Sequence, residues 1–354
     1  MLYRENGQFK STYAADMQLL PILQDRVTML LLVAFAFVGV PFIVSDYVFL
    51  SLLIPFLILT LAAIGLNLLV GYCGQISIGH AAFMSIGAYA AYNLVLRVPQ
   101  LNFLVVLVLA GLIAAFAGML FGIPSLRIKG LYLAVATLAA QFFIDWLFAR
   151  VKWFTNYAPS GSVSTATLEV FGWRVDTPAE KYLFLLGVLV VFTVIAKNLV
   201  RGHIGREWMA MRDMDVAAEV IGIRPVYAKL TAFAVSAFYC GVAGALWGFV
   251  YLGSWEPLAF NLNLSLNLLF MIIIGGMGSI LGSYLGAAFI VALPILLDQV
   301  PYWLGVPLST AAASHLAFMI FGGLIVLFLI VEPAGLARLW AIGKEKLRLW
   351  PFPH

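Results

Sequence analysis

Residues 49–70 read FLSLLIPFLILTLAAIGLNLLV, without one ionisable side chain. About 20 such residues, coiled as a helix, cross the hydrocarbon core of a bilayer. The run is continuous, whereas the strand of a membrane barrel alternates apolar and polar residues over about ten positions. Nine further apolar runs flank it, at about 27–44, 77–96, 102–123, 130–149, 181–200, 230–252, 263–281, 283–300 and 314–331. The whole chain of 354 residues is 64% hydrophobic, with a mean hydropathy of +1.04. Globular domains are only about half apolar, so the solvent for this surface is lipid. The expected fold is an all-α polytopic membrane helix bundle of about ten transmembrane helices. Run 77–96 is the weakest, and both a full crossing and a re-entrant segment fit it.

Ten crossings leave both termini on one side, and the positive-inside rule selects which. With a cytoplasmic N-terminus, the outer segments keep Arg97, Arg150, Lys152, Arg174 and Lys181, and the other fifteen of the 20 basic residues lie inside. The division expected is a cytoplasmic segment 1–26, a membrane domain 27–331 and a cytoplasmic tail 332–354. Residues 1–26 carry Arg4, Lys10 and Arg26, and no short apolar stretch with a small-residue cleavage site follows, so run 27–44 reads as a retained helix. The two cysteines, Cys73 and Cys240, fall at or inside apolar runs and read as packing residues. The net charge of +4 reports topology, and no nucleic acid partner is expected.

Charge is scarce, at 10% of residues, yet Lys197–Lys229 is crowded with it. Arg201, Arg206, Arg212 and Arg224 alternate there with Glu207, Asp213, Asp215 and Glu219. Such a segment needs a partner or a solvent face. The longest outer loop, about 150–180, holds Pro159, Gly161, Gly172 and Pro178, residues that punctuate turns. A docking platform and a solvated connector both fit it. Steps of GxxxG at Gly118/Gly122, Gly244/Gly248 and Gly278/Gly282/Gly286 read as close helix contacts. Gly71–Gly74, reaching Ala81-Ala82-Phe83, faintly echoes Gly275–Gly278, reaching Ala287-Ala288-Phe289. Transporters often contain such repeats.

Catalytic chemistry has no visible constellation. His80, His203, His315 and His354 are scattered without metal spacing, and no GxxxxGK[ST] occurs. No metal and no cofactor is expected. Asp145 and Asp298 sit near outer helix ends, where a carboxylate reaches water or packs; neither belongs to a chain of ionisable groups such as a proton relay needs.

The stretch Gly65–Phe83, GLNLLVGYCGQISIGHAAF, interrupts apolar sequence with glycines and with Asn67, Gln75, Ser77 and His80. Glycine weakens a helix, and buried polar side chains must face protein or water. Two roles fit these residues: lining a substrate path, or satisfying backbone groups freed at a helix break.

This stretch resembles the signature of the branched-chain amino acid ABC transporter permeases. Other segments follow in that family's order: Ile123–Ala134, Ile204-Gly205-Arg206, Arg212-Asp213, Ala217-Ala218-Glu219 with Gly222-Ile223, Lys229 before Ala232-Phe233, Gly275–Gly278 and Glu332–Leu336. The likeness runs from about residue 50 to 340 and is greatest to the longer of the two paired permeases. It implies a bacterial inner-membrane subunit that imports branched-chain or related amino acids. It implies as partners a second paralogous permease, two ATP-binding cassette subunits and an extracytoplasmic binding protein. ATP hydrolysis would lie on the cassette subunits, and this chain would not be an enzyme.

The resemblance also assigns the charged loop, residues 205–224, to ATPase coupling through Arg206, Arg212, Asp213, Asp215, Ala217, Ala218, Glu219 and Gly222. Asp213 or Asp215 is expected to cap a helix of about two turns, Gly222 to end it and Pro225 to prevent continuation. Two departures stand out. Val216 occupies the place of the family's usual Glu, and Ala158–Ser164 replaces a Thr-Gly-Gly-like stretch. A permease for urea or short amides, and from another class an autonomous channel or secondary carrier, remain as alternatives.

Overall fold

The structure, a computed structural model, describes residues 11–12, 23–126, 130–158, 161–165, 168–170, 172–303, scattered positions between 316 and 330, and 335–349. Most of the expected tenth run, the segment 1–26 apart from its described residues, Arg127, Lys129, Pro159 and Ser160, the end of the tail and the side chain of Asp298 lie outside them.

Among the described residues, helices dominate. They are α1 (Arg26–Ile43), α2 (Asp46–Tyr72), α3 (His80–Arg97), α4 (Phe103–Gly122), α5 (Leu131–Arg150), α6 (Pro178–Arg201), α7 (His203–Asp213), α8 (Asp215–Val220), α9 (Pro225–Leu252), α10 (Leu262–Gly275), α11 (Ile280–Trp303) and α12 (Gly335–Leu349). Seven membrane-length apolar segments are α1, α2, α4, α5, α6, α9 and Pro257–Gly275, which contains α10. The chain is a polytopic helical membrane bundle. Among the described residues, strands are confined to two short pairs. β1 (Val163–Ser164) pairs antiparallel with β4 (Ser254–Trp255), and β2 (Glu169–Val170) with β3 (Trp173–Arg174).

Helix α9 is the hub. Its glycines and alanines let α2, α3 and α4 approach closely, as lipid-embedded helices favour. A Cβ on Gly87 of α3 would strike the backbone of Gly241, and one on Gly244 would strike Met84. Gly118 and Gly122 of α4 meet Ala237 and Phe233. These contacts also give direction. Phe103 packs on Phe249 while Gly122 meets Phe233, so α4 runs opposite to α9. One end of the bundle therefore carries Tyr72, Gly122, α7, α8 and the turn Gly276–Gly278. The other carries Arg97, residues 151–158 and the strand pairs.

Segment 77–96 runs from one end of the bundle to the other. Helix α2 stops at Tyr72 at the first end, and a non-helical stretch, Gly74–Gly79, leads into α3. Helix α3 then reaches the opposite end, where Arg97 stacks over Trp153 at 3.6 Å. Its low hydropathy follows from its place. Twelve of its residues are buried in the bundle, so it does not need an apolar lipid face.

The two echoing segments meet. Gly71, at the end of α2, lies against Gly278, in the turn between α10 and α11. The loop over residues 150–180 is also more than a bare connector. Val163, Leu168 and Val175 are buried, and β1 hydrogen-bonds to β4 beside the end of α9.

Candidate functional site

The break between α2 and α3 gathers most of the polar residues singled out from the sequence. The last turn of α2, Leu68–Tyr72, is π-helical, a form that often marks functional positions. Ending a helix inside a bundle orphans carbonyls at one end and N–H groups at the other. Several of these groups are met by specific partners.

Asn67 is fully buried and is used three times. Its Nδ2 donates to Ser279 O at 2.9 Å and to Ser283 Oγ at 2.9 Å, and its Oδ1 accepts from Gly278 N–H at 2.8 Å. It ties α2 to the α10–α11 turn. Ser77 and His80 are also buried. Imidazole Nδ1 bonds Ser77 Oγ at 2.8 Å and Nε2 bonds Ser236 Oγ of α9 at 2.7 Å. A ring with one proton donates at one nitrogen and accepts at the other, and a hydroxyl can serve either. Gln75 is different. It is half-buried, and its Oε1 is sealed without a hydrogen-bond partner among the described residues. Of the four path candidates, three thus have their bonds made within the chain in this conformation.

The start of α3 leans on α5 and α10. Ile78 N–H donates to Thr137 Oγ1 at 3.0 Å, and Ala81 N–H to Ser265 Oγ at 2.8 Å. Ser265 donates to Gln141 Oε1 at 3.1 Å, and Gln141 Nε2 donates to Phe260 O at 2.8 Å and to the Asp145 carboxylate at 3.0 Å. Asp145 thus has a packing role next to its half-exposed position. Sequence reading passed over Thr137, Gln141, Ser236 and Ser265. The available signal was a lone polar residue in an apolar run.

His80→Leu leaves the Ser77 and Ser236 hydroxyls buried and unpaired. It should destabilise the protein by about 2–4 kcal/mol, read as a lower melting temperature in detergent. An unchanged melting temperature contradicts this role.

The charged loop forms two short helices. Trp208 anchors α7, fully buried, with its Nε1 donating to Thr231 at 3.1 Å. Helix α8 ends as expected. Gly222 takes φ +94°, Ile223 N–H donates to Ala218 O and Gly222 N–H to Glu219 O, the Schellman pattern that favours glycine. Its start differs from expectation. Met214, in extended conformation, is the N-cap and supplies no side-chain bond; Asp215 is the first helical residue, and Asp213 accepts from Arg212. An acid in the first turn still favours the helix through its dipole. Helix α8 has six residues, short of two turns. Pro225 stands at the start of α9.

Arg206, Asp213, Ala217, Glu219 and Gly222 are exposed, Asp215 is half-exposed and Ala218 is buried. Next to them Val216, Val220 and Ile221 are 67%, 83% and 74% exposed. Arg212 joins this surface to the break. Its guanidinium donates to Gly71 O at 3.0 Å, capping the end of α2, and lies beside Gly278, while its Cα, Cβ and Cγ lie beside Gly74. Those two glycines take φ +73° and +75°, a region that other residues seldom occupy.

A profile of the family described as "Branched-chain amino acid transport system / permease component" matches residues 48–331. The high-affinity branched-chain amino acid transport system permease proteins LivM of Salmonella typhimurium and Escherichia coli are each 31% identical over 308 residues, covering 79% of this chain and 68% of theirs. A probable branched-chain amino acid transport permease protein LivM of Methanocaldococcus jannaschii is 21% identical over 316 residues, covering 78% and 89%. No solved structure matches.

Proposed function

The chain belongs to the branched-chain amino acid transport permease family, and from that premise we propose that it is the membrane-spanning subunit of an ATP-driven importer of branched-chain amino acids. It is a transporter, not an enzyme in itself. The observation that carries the mechanism is Arg212. One residue links the exposed α7–α8 surface to the carbonyl that ends α2.

In this reading a second permease shares the pore, and two ATP-binding cassette subunits grip α8 from the cytoplasm of a bacterial cell. Both termini lie on that side, and residues 205–224 form the coupling loop. The exposed Val216, Val220 and Ile221 enter a cleft on the cassette, with Asp215 and Glu219 as its charged rim. ATP acts by its differential affinity for two states of the assembly. Movement of α7 then shifts Arg212, releases or restores the cap on Gly71, and changes how α2 meets the Gly276–Gly278 turn. Gln75, at the mouth of the break, is the path residue whose acceptor is left for cargo. The folded outer loop beside β4 is the seat for a substrate-binding protein.

Charge reversal tests this. Asp215→Lys together with Glu219→Lys should lower substrate-stimulated ATP hydrolysis of the assembled importer about fivefold or more, within the range of ordinary coupling energies, with the chain still inserted at normal abundance. Unchanged hydrolysis removes both residues from the coupling surface. Uptake of radiolabelled leucine in competition with isoleucine, valine and urea reads the solute class. Inhibition by urea, and not by valine, overturns the amino-acid assignment.

A further inference from the structure

We propose that Ser85, Tyr89 and Asn93 of α3, with Trp255, form the surface that takes the ammonium and carboxylate ends of the amino acid in transit. This rests on the function proposed above and adds the site.

The three α3 residues are four apart and share one face of the helix. They are 0%, 0% and 7% exposed, and Trp255 is 3% exposed. Yet Ser85 Oγ, Tyr89 OH, Asn93 Oδ1 and Trp255 Nε1 all lack a hydrogen-bond partner among the described residues. A buried polar atom left unpaired is costly, and each one needs a reason. The contrast with the same helix one turn lower is sharp, since His80 and the Ala81 N–H are fully paired. Three of these orphaned atoms lie along α3 from Ser85 to Asn93, and the fourth belongs to Trp255, whose ring meets Tyr89.

Their chemistry is mixed. Two hydroxyls both donate and accept, the amide oxygen accepts and the indole N–H donates. A zwitterion needs donors for its carboxylate and acceptors for its ammonium. The surroundings suit an aliphatic side chain. Tyr89 stacks on Phe148 with centroids 4.4 Å apart, and Trp255 meets it edge-on at 6.2 Å. An apolar cleft of about 350 Å³ lies against Tyr89, Asn93, Phe148 and Phe154, with neither Ser85 nor Trp255 in its lining. Asn93 Nδ2 donates to Phe154 O at 3.0 Å and holds that ring over the outer end. Helices α3 and α5 run side by side in the same direction, meeting at Ile78–Thr137 and again at Tyr89–Phe148. The seam between them is closed in this conformation and opens when α3 and α5 part.

Ser85→Ala and Tyr89→Phe remove only hydroxyls and keep the ring contacts. Leucine uptake is measured in cells producing the complete importer, together with membrane abundance and melting temperature. Each variant should lower the maximal uptake rate about tenfold, the value of a hydrogen bond to a charged group, and the pair should lower it further. Melting temperature should hold or rise. Normal uptake by both variants, at normal abundance, overturns the site while leaving the proposed function intact and leaves the hydroxyls as contacts for water. A wild-type importer that carries no branched-chain amino acid rejects the function, and this assignment with it. A fall in melting temperature matching the loss of uptake also overturns the site, because it marks a packing role.

Discussion

Arg212→Gln should lower leucine uptake by the assembled importer about tenfold, with normal abundance in the membrane. The residue is partly exposed, with 38% of its side chain accessible. Its bonds to solvent-facing groups therefore contribute little to stability, and its loss should not unfold the bundle. Its bond to Gly71 O is another matter. That carbonyl ends α2, and the same residue sits against Gly278 in the α10–α11 turn. Coupling energies of about 1–3 kcal/mol correspond to changes of roughly 5–150-fold, and tenfold lies within that range. Basal ATP hydrolysis should persist while stimulation by substrate is lost. Full stimulation in the variant would show that the cap on α2 transmits nothing.

Gly71→Val should abolish accumulation of the folded protein. Any Cβ there collides with the Asn67 side chain and with the backbone of Gly278. The collision falls on the residue whose three hydrogen bonds tie α2 to the α10–α11 turn. Backbone cannot yield as a flexible side chain can, so the cost is roughly 3–5 kcal/mol. Gly71→Ala should produce a milder version of the same loss. Membrane abundance and melting temperature in detergent read both. A Gly71→Val protein as abundant and as stable as the wild type would mean that this contact is not part of the working fold.

The apolar runs made the bundle legible, because lipid leaves few ways to satisfy a backbone. The run 49–70 became α2 nearly residue for residue. The break was legible too, since Gly71, Gly74 and Gly79 crowd a segment with three polar side chains. The use made of those side chains was not. Asn67 is spent on Ser279, more than 200 residues away in sequence, and one sequence carries no record of that distance. The seam between α3 and α5 escaped for the same reason, as Thr137 and Gln141 look like stray polar residues until α3 lies beside them. Helix α3 looked like the weakest crossing because hydropathy assumes lipid contact, while Ser85, Tyr89 and Asn93 face protein. At α8 the acids drew attention as caps, yet Met214 stands at the N-cap and supplies no side-chain bond. The short strands of the outer loop fell below notice because each has two residues.

The central claim is that this bundle is a gate moved by other polypeptides. Its most direct measurement is leucine accumulation in proteoliposomes, comparing the chain alone with the chain joined by its partner permease, cassette subunits, binding protein and ATP. Accumulation is expected only in the complete, ATP-supplied vesicles. Leucine flux through vesicles holding this chain alone, without ATP, would contradict it.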